Sequence, residues 1–439
     1  MHVFYEGIEK LADFLEALDE RILHNNLVNI GLVGAGKMGE AIIHQAMIAK
    51  GLRLAAVAEI NLSRASSVLK DAGQSGRHVK ISNDGDVLSR AIESGMTALT
   101  SDASRLIELP HIDVVIDATG EVEVGATLGY NAIMNQKCFV MMNAEADATV
   151  GPLLSKQAHI AGTVYTGDLG DEPGTTMHFL YEPFKSLGFQ VIAAGKGKNN
   201  PLDIHATPTT LNEEATRKRL NPHILTSFVD GTKTMVEMTI LSNATGLTPD
   251  IRGMHGPKAQ VAELHNYFKD KKHGGILGKE GVVDYVIGIA PGVFIVVDTA
   301  DRAVKENLSY LKVGEGPPYA FYRPYHLPGT ETVLTAIWAA NFKRPIIHAK
   351  GHISDVITCA KQDLEKGAVL DGIGGHTSYG SIETNKVAKK DNLLPLGLSK
   401  GATVKRAVKR DQVITFDDVE ILEDQLVYRL WRLQEKTFG

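Results

Sequence analysis

VNIGLVGAGKMGEAIIHQAMIAKGLRLAAVAEINLSR, residues 28–64, opens with an apolar run over 28–33 and then places Gly34, Gly36 and Gly39 at GxGxxG spacing. A helical pattern follows through Ala49 and stops at Gly51; a second apolar strand over 54–58 ends at Glu59. GxGxxG alone says little. Between a strand and a helix, with an acid about twenty residues on, it predicts the first βαβ unit of a Rossmann dinucleotide-binding domain. Gly34 allows the tight turn, Gly36 lets a pyrophosphate approach, and Gly39 lets helix and strand pack closely. Backbone N–H groups at the helix start, around Ala35, Lys37 and Met38, would hold the phosphates.

The choice of dinucleotide turns on the end of the second strand. Glu59 suits a ribose 2′-hydroxyl and repels a 2′-phosphate, whereas Arg64, after Asn61 and Ser63, suits that phosphate. NADP(H) is the expected cofactor. Two further strands, 114–117 and the one ending at Asn143, deliver Ala118, Thr119, Gly120 and Asn143 to the carboxyl edge of the sheet, where they would border the nicotinamide half of the crevice.

Bulk properties narrow the function classes. The chain has 439 residues, enough for two or three domains. It is 44% hydrophobic and 22% charged with net charge -6, the profile of a soluble globular protein and not of a nucleic-acid binder. The basic cluster KRAVKR, 405–410, reads as a solvated strand face. Two distant cysteines, Cys138 and Cys359, fit a reducing cytoplasm, and no apolar run is long enough for a membrane span. The first residues carry Ile8, Leu11, Phe14, Leu15, Leu18 and Ile22 at helical spacing, which predicts an amphipathic helix docked on the protein or on a second subunit. The expected division is a helix over 1–25, the Rossmann domain over 26–165, a catalytic and dimerisation region over 166–350 and a C-terminal region over 351–439.

The central region carries the chemistry. PGTTMHFLYEPFKSLG reads as a helix with Pro173 at its start and Gly188 at its end, and FQVIAAG as a strand. That strand leads into Gly195-Lys196-Gly197-Lys198-Asn199-Asn200-Pro201, read as an anion-binding loop in which glycines expose backbone donors and Lys196 and Lys198 supply point charges. Next comes a helix containing DGTKTMVEM, 230–238, where Lys233 and Glu237 stand four apart on one face. The pair is expected to work as acid and base toward the substrate, with Lys196, Lys198 and Asn199 beside it. A surface salt bridge is the alternative reading.

This order of parts resembles homoserine dehydrogenase, although GKGKNN replaces GILNGT and the Lys233/Glu237 pair is inverted relative to that family. GKGKNNPLD, SFVDGTKTMVEM, NATGL and GMHGP more closely resemble the homoserine-dehydrogenase-like oxidoreductases with a C-terminal SAF module, and within them the 1-deoxy-D-xylulose 5-phosphate reductoisomerase-like branch. The resemblance implies an α/β fold: a Rossmann domain, an α+β catalytic domain and a small β-rich SAF domain. It also implies an NADPH-dependent rearrangement and reduction of a ketose phosphate, on the route to isoprenoid precursors. A dehydrogenase or oxidoisomerase acting on a hydroxy acid or sugar acid is the alternative, and a non-catalytic nucleotide-binding subunit a further one. The expected partners are a small phosphorylated or carboxylated substrate and a second copy of the chain. No nucleic acid and no membrane are expected.

Reductoisomerases hold a divalent ion on carboxylates just beyond the cofactor domain. Here Asp168, Asp171 and Glu172 would offer oxygen ligands to Mg2+ or Mn2+, unless they cap the next helix. Asn243, Arg323 and His326 are candidate substrate contacts, Arg323 as a bidentate clamp. In the C-terminal stretch TFDDVE reads as a helix start with Thr415 as its N-cap.

Overall fold

The computed structural model describes residues 16–24, 26–314 and 316–438. It falls into two compact units. The first comprises 1–143, 154–171 and 327–346; the second comprises 144–153, 172–326 and 347–439. Among the described residues no helix is long and apolar enough to cross a membrane.

The first unit is built on a seven-stranded parallel sheet. Its strands are β1 (Val28–Val33), β2 (Leu52–Ala58), β3 (Val79–Ile81), β4 (Thr97–Thr100), β5 (Val114–Asp117), β6 (Cys138–Met141) and β7 (Tyr165–Gly167). Their order is β3-β4-β2-β1-β5-β6-β7. The predicted dinucleotide fold is present. Near-continuous apolar strands such as β1 are covered on both faces, as a parallel sheet requires. Residues 16–23 are helical, with Leu18 buried and Ile22 exposed. Ile8, Leu11, Phe14 and Leu15 lie outside the described residues. The helix Thr332–Phe342 packs in this unit. Val333, Ala336, Ile337, Ala339 and Ala340 share a core with Ile30, Leu32, Ile42 and Ile43. Its run of small apolar side chains lets it seat closely on the sheet.

The second unit holds a four-stranded mixed sheet of β8 (Gln190–Lys198), β9 (Val282–Ile287), β10 (Val293–Asp298) and β11 (Tyr319–Arg323), ordered β11-β10-β8-β9. One face carries a core with Ala194, Val293 and Ile295; the other carries Ala193, Phe294 and Val296. On the first face lie the helix Thr232–Thr245, through Met235, Val236, Met238 and Leu241, and a helical stretch from Glu172, through Met177, Leu180 and Tyr181.

That stretch is not one regular helix. It is α-helical over Glu172–Thr176, π-helical over Met177–Tyr181 and α-helical again over Glu182–Ser186. Pro183 has no N–H to donate to the Phe179 carbonyl one turn back, and the widened turn absorbs that loss. The helix Thr232–Thr245 is buried on nearly every side.

Two corrections concern loops and turns. The segment read as the loop 195–201 is strand as far as Lys198. A Cβ on Gly195 would lie 1.7 Å from the Asp284 carbonyl oxygen, and one on Gly197 would lie 2.5 Å from the Ala290 nitrogen. These glycines therefore let neighbouring backbone close in; they do not present donors to an anion. Near the C-terminus, β12 (Ser354–Ala360) pairs antiparallel with β13 (Ser378–Thr384), and short β14 (Thr403–Val404) with β15 (Val419–Glu420). Thr415 caps no helix. Its N–H and hydroxyl both donate to Asp418, at 2.8 and 2.6 Å, closing a turn that feeds Val419 into β15.

Candidate active site

In the first unit the glycine loop has the geometry a dinucleotide needs. Gly34 has φ +95°, a left-handed conformation that glycine adopts without strain. A Cβ on Gly39 would lie 2.0 Å from the Gly34 carbonyl oxygen, so glycine alone lets the helix Lys37–Ile48 seat against the loop. At Gly36 a Cβ would meet nothing within 4 Å: the space above the turn is open on the side where a pyrophosphate would approach. The first N–H groups of the helix, at Lys37 and Met38, have no partner within it.

Glu59 at the end of β2 is tied to the same loop. Its carboxylate accepts the Ala35 N–H at 2.7 Å and the Asn61 N–H at 3.0 Å. Asn61 caps the helix Leu62–Asp71 by accepting the Arg64 N–H, and the Arg64 side chain is exposed. After β5 and β6, Asn143 is buried and donates to the Glu121 carbonyl at 2.9 Å and the Thr119 hydroxyl at 3.3 Å, joining two strand-end loops beside Ala118 and Gly120. These residues fit a nicotinamide dinucleotide.

The second unit brings the catalytic candidates together. Lys196 and Lys198 alternate along β8 and so share one face, the face covered by the two helical segments. Both are buried. The Lys196 ammonium lies between two buried carboxylates, Glu172 at the start of one helix and Glu237 inside the other, and is bonded to both. His326 Nε2 lies 3.4 Å from Glu172 Oε1, the same carboxylate oxygen that binds Lys196. His326 Nδ1 donates to the Pro291 carbonyl at 2.6 Å, which fixes the ring and turns Nε2 toward Glu172. The result is a chain of proton-bearing groups: His326, Glu172, Lys196, Glu237.

The electrostatics follow from burial and neighbours. Burial alone would lower Lys196, but Glu172 and Glu237 outweigh it and hold the ammonium well above the usual lysine range. Burial and then the Glu172 charge push Glu237 up, against the pull of Lys196 and Lys233. Lys198 is pushed down to about 8, first by burial and then by the Lys196 charge, with Asp230 and Glu237 opposing. Its ammonium donates to the Phe228 carbonyl at 2.6 Å.

Several expected roles change. The intrahelical Lys233/Glu237 pair is not the central interaction: Glu237 binds Lys196, and Lys233 Nζ sits 3.3 Å from Glu145. Asn199 lies exposed just beyond β8. Asn243 is held by its side-chain oxygen, which accepts the N–H groups of Ile353 and Ser354 at 2.7 and 3.0 Å, while its buried Nδ2 has no hydrogen-bond partner among the described residues. Arg323 is packed between the rings of Phe179 and Tyr325, 4.1 and 4.2 Å from their centroids, with a long 3.4 Å contact to the Thr175 hydroxyl. Flat stacking of this kind orients a guanidinium.

The carboxylates expected to hold a metal have other work. In the first unit Asp168 accepts hydrogen bonds from Thr332 at 2.8 Å and Thr335 at 3.0 Å, and burial pushes it up to about 6 despite those bonds. In the second, Glu172 is committed to Lys196 and His326. Asp168 and Glu172 are thus each already engaged by protein partners.

Three contributors escaped the sequence reading: Glu145, Asp230 and Lys361. Asp230 lies within the DGTK stretch, where its carboxylate accepts the Thr232 N–H at 2.9 Å and pairs with buried Lys361 at 2.8 Å. Lys361 arrives 131 residues later, and no local spacing announces it.

The catalytic-domain model of oxidoreductase DRL matches residues 170–332, less than half of the chain. No curated protein matches the sequence. Among solved structures, a probable dehydrogenase from Thermotoga maritima is 12% identical with a TM-score of 0.40, over 72% of this chain and 90% of that one. The scyllo-inositol dehydrogenase of Lactobacillus casei, with bound cofactor NAD(H) and scyllo-inositol, is 12% identical with a TM-score of 0.35, over 62% and 74%. Biliverdin reductase from Synechocystis, in complex with biliverdin and NADP+, is 14% identical with a TM-score of 0.26, over 40% of this chain and 49% of that one, about half its length. At such identities and TM-scores no substrate transfers from these structures to this chain. The oxidoreductase-domain match, joined to a glycine loop shaped for a dinucleotide, makes the chain an NAD(P)-dependent oxidoreductase.

Proposed function

We propose that the protein is an NADP(H)-dependent reductoisomerase that converts 1-deoxy-D-xylulose 5-phosphate to 2-C-methyl-D-erythritol 4-phosphate, working in the cytoplasm as a homodimer. The observation that carries the reading is Lys196, buried and bonded to both Glu172 and Glu237 on the face that also presents Lys198. Bound NADPH would supply the hydride. The chain's own residues supply protons and charge. A carbonyl becoming an alkoxide needs a positive donor at its oxygen, and an ammonium held protonated by two carboxylates meets that need. Glu172 and His326 form the path by which Lys196 regains its proton. The skeletal rearrangement loses one hydroxyl proton and gains another, so it is proton-neutral; the reduction consumes one hydride and one proton. Lys198 stands beside Lys196 as a second positive group for the enediolate or phosphate.

One observation favours a second reading, an NAD(P) dehydrogenase or oxidoisomerase acting on a hydroxy acid or sugar acid. A lysine at about 8 is partly neutral near neutral pH, so Lys198 would also serve as a base that takes a proton from a substrate hydroxyl. Both readings are tested by following NADPH oxidation with 1-deoxy-D-xylulose 5-phosphate and with L-aspartate semialdehyde, and NADP+ reduction with a panel of hydroxy acids and sugar acids. A branched polyol phosphate product supports the first reading. Turnover on the acids alone replaces it with the second.

A further inference from the structure

The Glu172 and Glu237 carboxylate oxygens lie within 4.8 Å of each other, close enough to share one cation. Both side chains are buried, at 5% and 2% exposure, where two uncompensated negative charges would be costly. A proton on one of them or a cation between them relieves that cost, and the fold provides a cation.

We propose that the Lys196 ammonium is the resident cation of this centre, standing where a divalent ion would otherwise bridge Glu172 and Glu237. The inference rests on reading this cluster as the reaction centre. Three features support it. First, Lys196 is bonded to both carboxylates, one on each helical segment, so a metal would have to displace a buried, doubly paired ammonium. Second, an ammonium has three N–H donors. Among the described residues Lys196 spends two of them on Glu172 and Glu237, which leaves one for a substrate oxygen. Third, β8 has no slack. Gly195 and Gly197 press against the backbone of residues 284 and 290, so the strand holds Lys196 where it is. The substrate oxygen would be polarised by a group that can also surrender a proton to it, which a metal ion cannot do. The expected dependence on Mg2+ or Mn2+ then disappears.

The test counts bound Mn2+ by electron paramagnetic resonance, titrating MnCl2 into the full-length protein with NADPH present. Wild-type protein should leave Mn2+ free. Lys196→Ala should take up one Mn2+ per chain, and the double variant Lys196→Ala with Glu237→Gln should lose it. One Mn2+ per wild-type chain, abolished by Glu172→Gln, would overturn the proposal. So would a Lys196→Ala protein that melts cooperatively yet binds none. If Lys196→Ala does not fold, the wild-type titration decides alone. Because this readout needs no substrate, it stays informative even if the proposed reductoisomerase activity is absent.

Discussion

Lys196 on β8 donates to the carboxylate of Glu237, 41 positions along the chain and on a different element. The bond ties the central strand of the second sheet to its covering helix at the point where Glu172 also arrives. Strand, helix and helical turn thus meet on one ammonium.

Turnover should depend on Lys196 far more than on Lys233. Removing a positioned proton donor costs about 10²- to 10⁴-fold in rate. Lys196→Met should therefore lower kcat by that order while leaving the affinity for NADPH intact, since the glycine loop belongs to the other unit. Lys233→Met should cost much less, because Lys233 pairs with Glu145, whereas the bond that ties Glu237 to the strand comes from Lys196. Steady-state kinetics beside fluorescence titration of NADPH would separate the two. Equal losses would return the intrahelical pair to the centre of the mechanism.

Stability should respond to the same substitution in a pH-dependent way. Taking one partner from a buried ion pair costs about 3–5 kcal/mol. In Lys196→Met, Glu172 and Glu237 would face each other without their cation, and Glu237, already raised by burial and by the Glu172 charge, would lose the pull of Lys196 that opposes them. A group with a raised folded-state value is penalised above its unfolded value and relieved as pH falls. The deficit should therefore be largest at neutral pH and shrink on acidification. Adding Glu237→Gln should recover much of the lost melting temperature at pH 7. Calorimetric scans of the three proteins from pH 5 to 8 would show it; a deficit independent of pH would point to lost packing instead.

What the sequence disclosed was local. The glycine spacing, the strand before it and Glu59 after it lie within one βαβ unit, and each is constrained by its neighbours in the chain. GKGK was misleading for a physical reason: glycine serves a tight turn and a crowded central strand alike, and only the backbone of residues 284 and 290 distinguishes them. The i,i+4 spacing of Lys233 and Glu237 was real, but a helix buried on nearly all sides also meets partners from outside it, and Lys196 is one. Glu172 was marked as a candidate ligand, while its pairing with Lys196 and His326 depends on segments brought together by the fold.

Lys198 should set the alkaline limb of the pH profile. Burial and the Lys196 charge bring it down to about 8, so it loses its proton as pH rises through that value. If its charge holds an anionic substrate group, KM should rise above pH 8 with a single inflection, while kcat changes less. Lys198→Arg keeps the charge throughout this range and should flatten that rise. The opposite stability sign accompanies it. The unfolded lysine binds more protons than the folded one between about 8 and 10.4, so this group makes folding more favourable as pH rises across that window. A KM profile identical in wild type and Lys198→Arg would remove Lys198 from substrate binding.

One substitution placed at two glycines should separate fold from cofactor binding. At Gly195 a methyl group would overlap the Asp284 carbonyl at 1.7 Å, in the middle of a sheet, and Gly195→Ala should yield little folded protein. At Gly36, where φ is -72° and a Cβ has open space, Gly36→Ala should fold and melt like wild type. The new methyl would stand on the open side of the loop, where a pyrophosphate must come close to the backbone. Dinucleotide affinity should fall about tenfold or more, equivalent to roughly 1.4 kcal/mol. Circular dichroism with NADPH titration reads both arms. Wild-type affinity in Gly36→Ala would place the phosphates elsewhere.

Arg64 and Glu59 should differ in kind, although both stand near the ribose end of the loop. Glu59 is bonded to the Ala35 and Asn61 backbone, so Glu59→Ala should disturb the loop and weaken NADH and NADPH together. Arg64 is exposed at the start of the 62–71 helix, and a guanidinium is suited to a 2′-phosphate. Arg64→Ala should weaken NADPH by about tenfold, roughly 1.4 kcal/mol, and leave NADH unchanged. Titrating both reduced cofactors into the two variants decides the matter. A selective loss of NADPH on removing Arg64 would support NADP(H) as the working cofactor. A selective loss of NADH on removing Glu59, with Arg64→Ala silent, would assign the site to NAD(H).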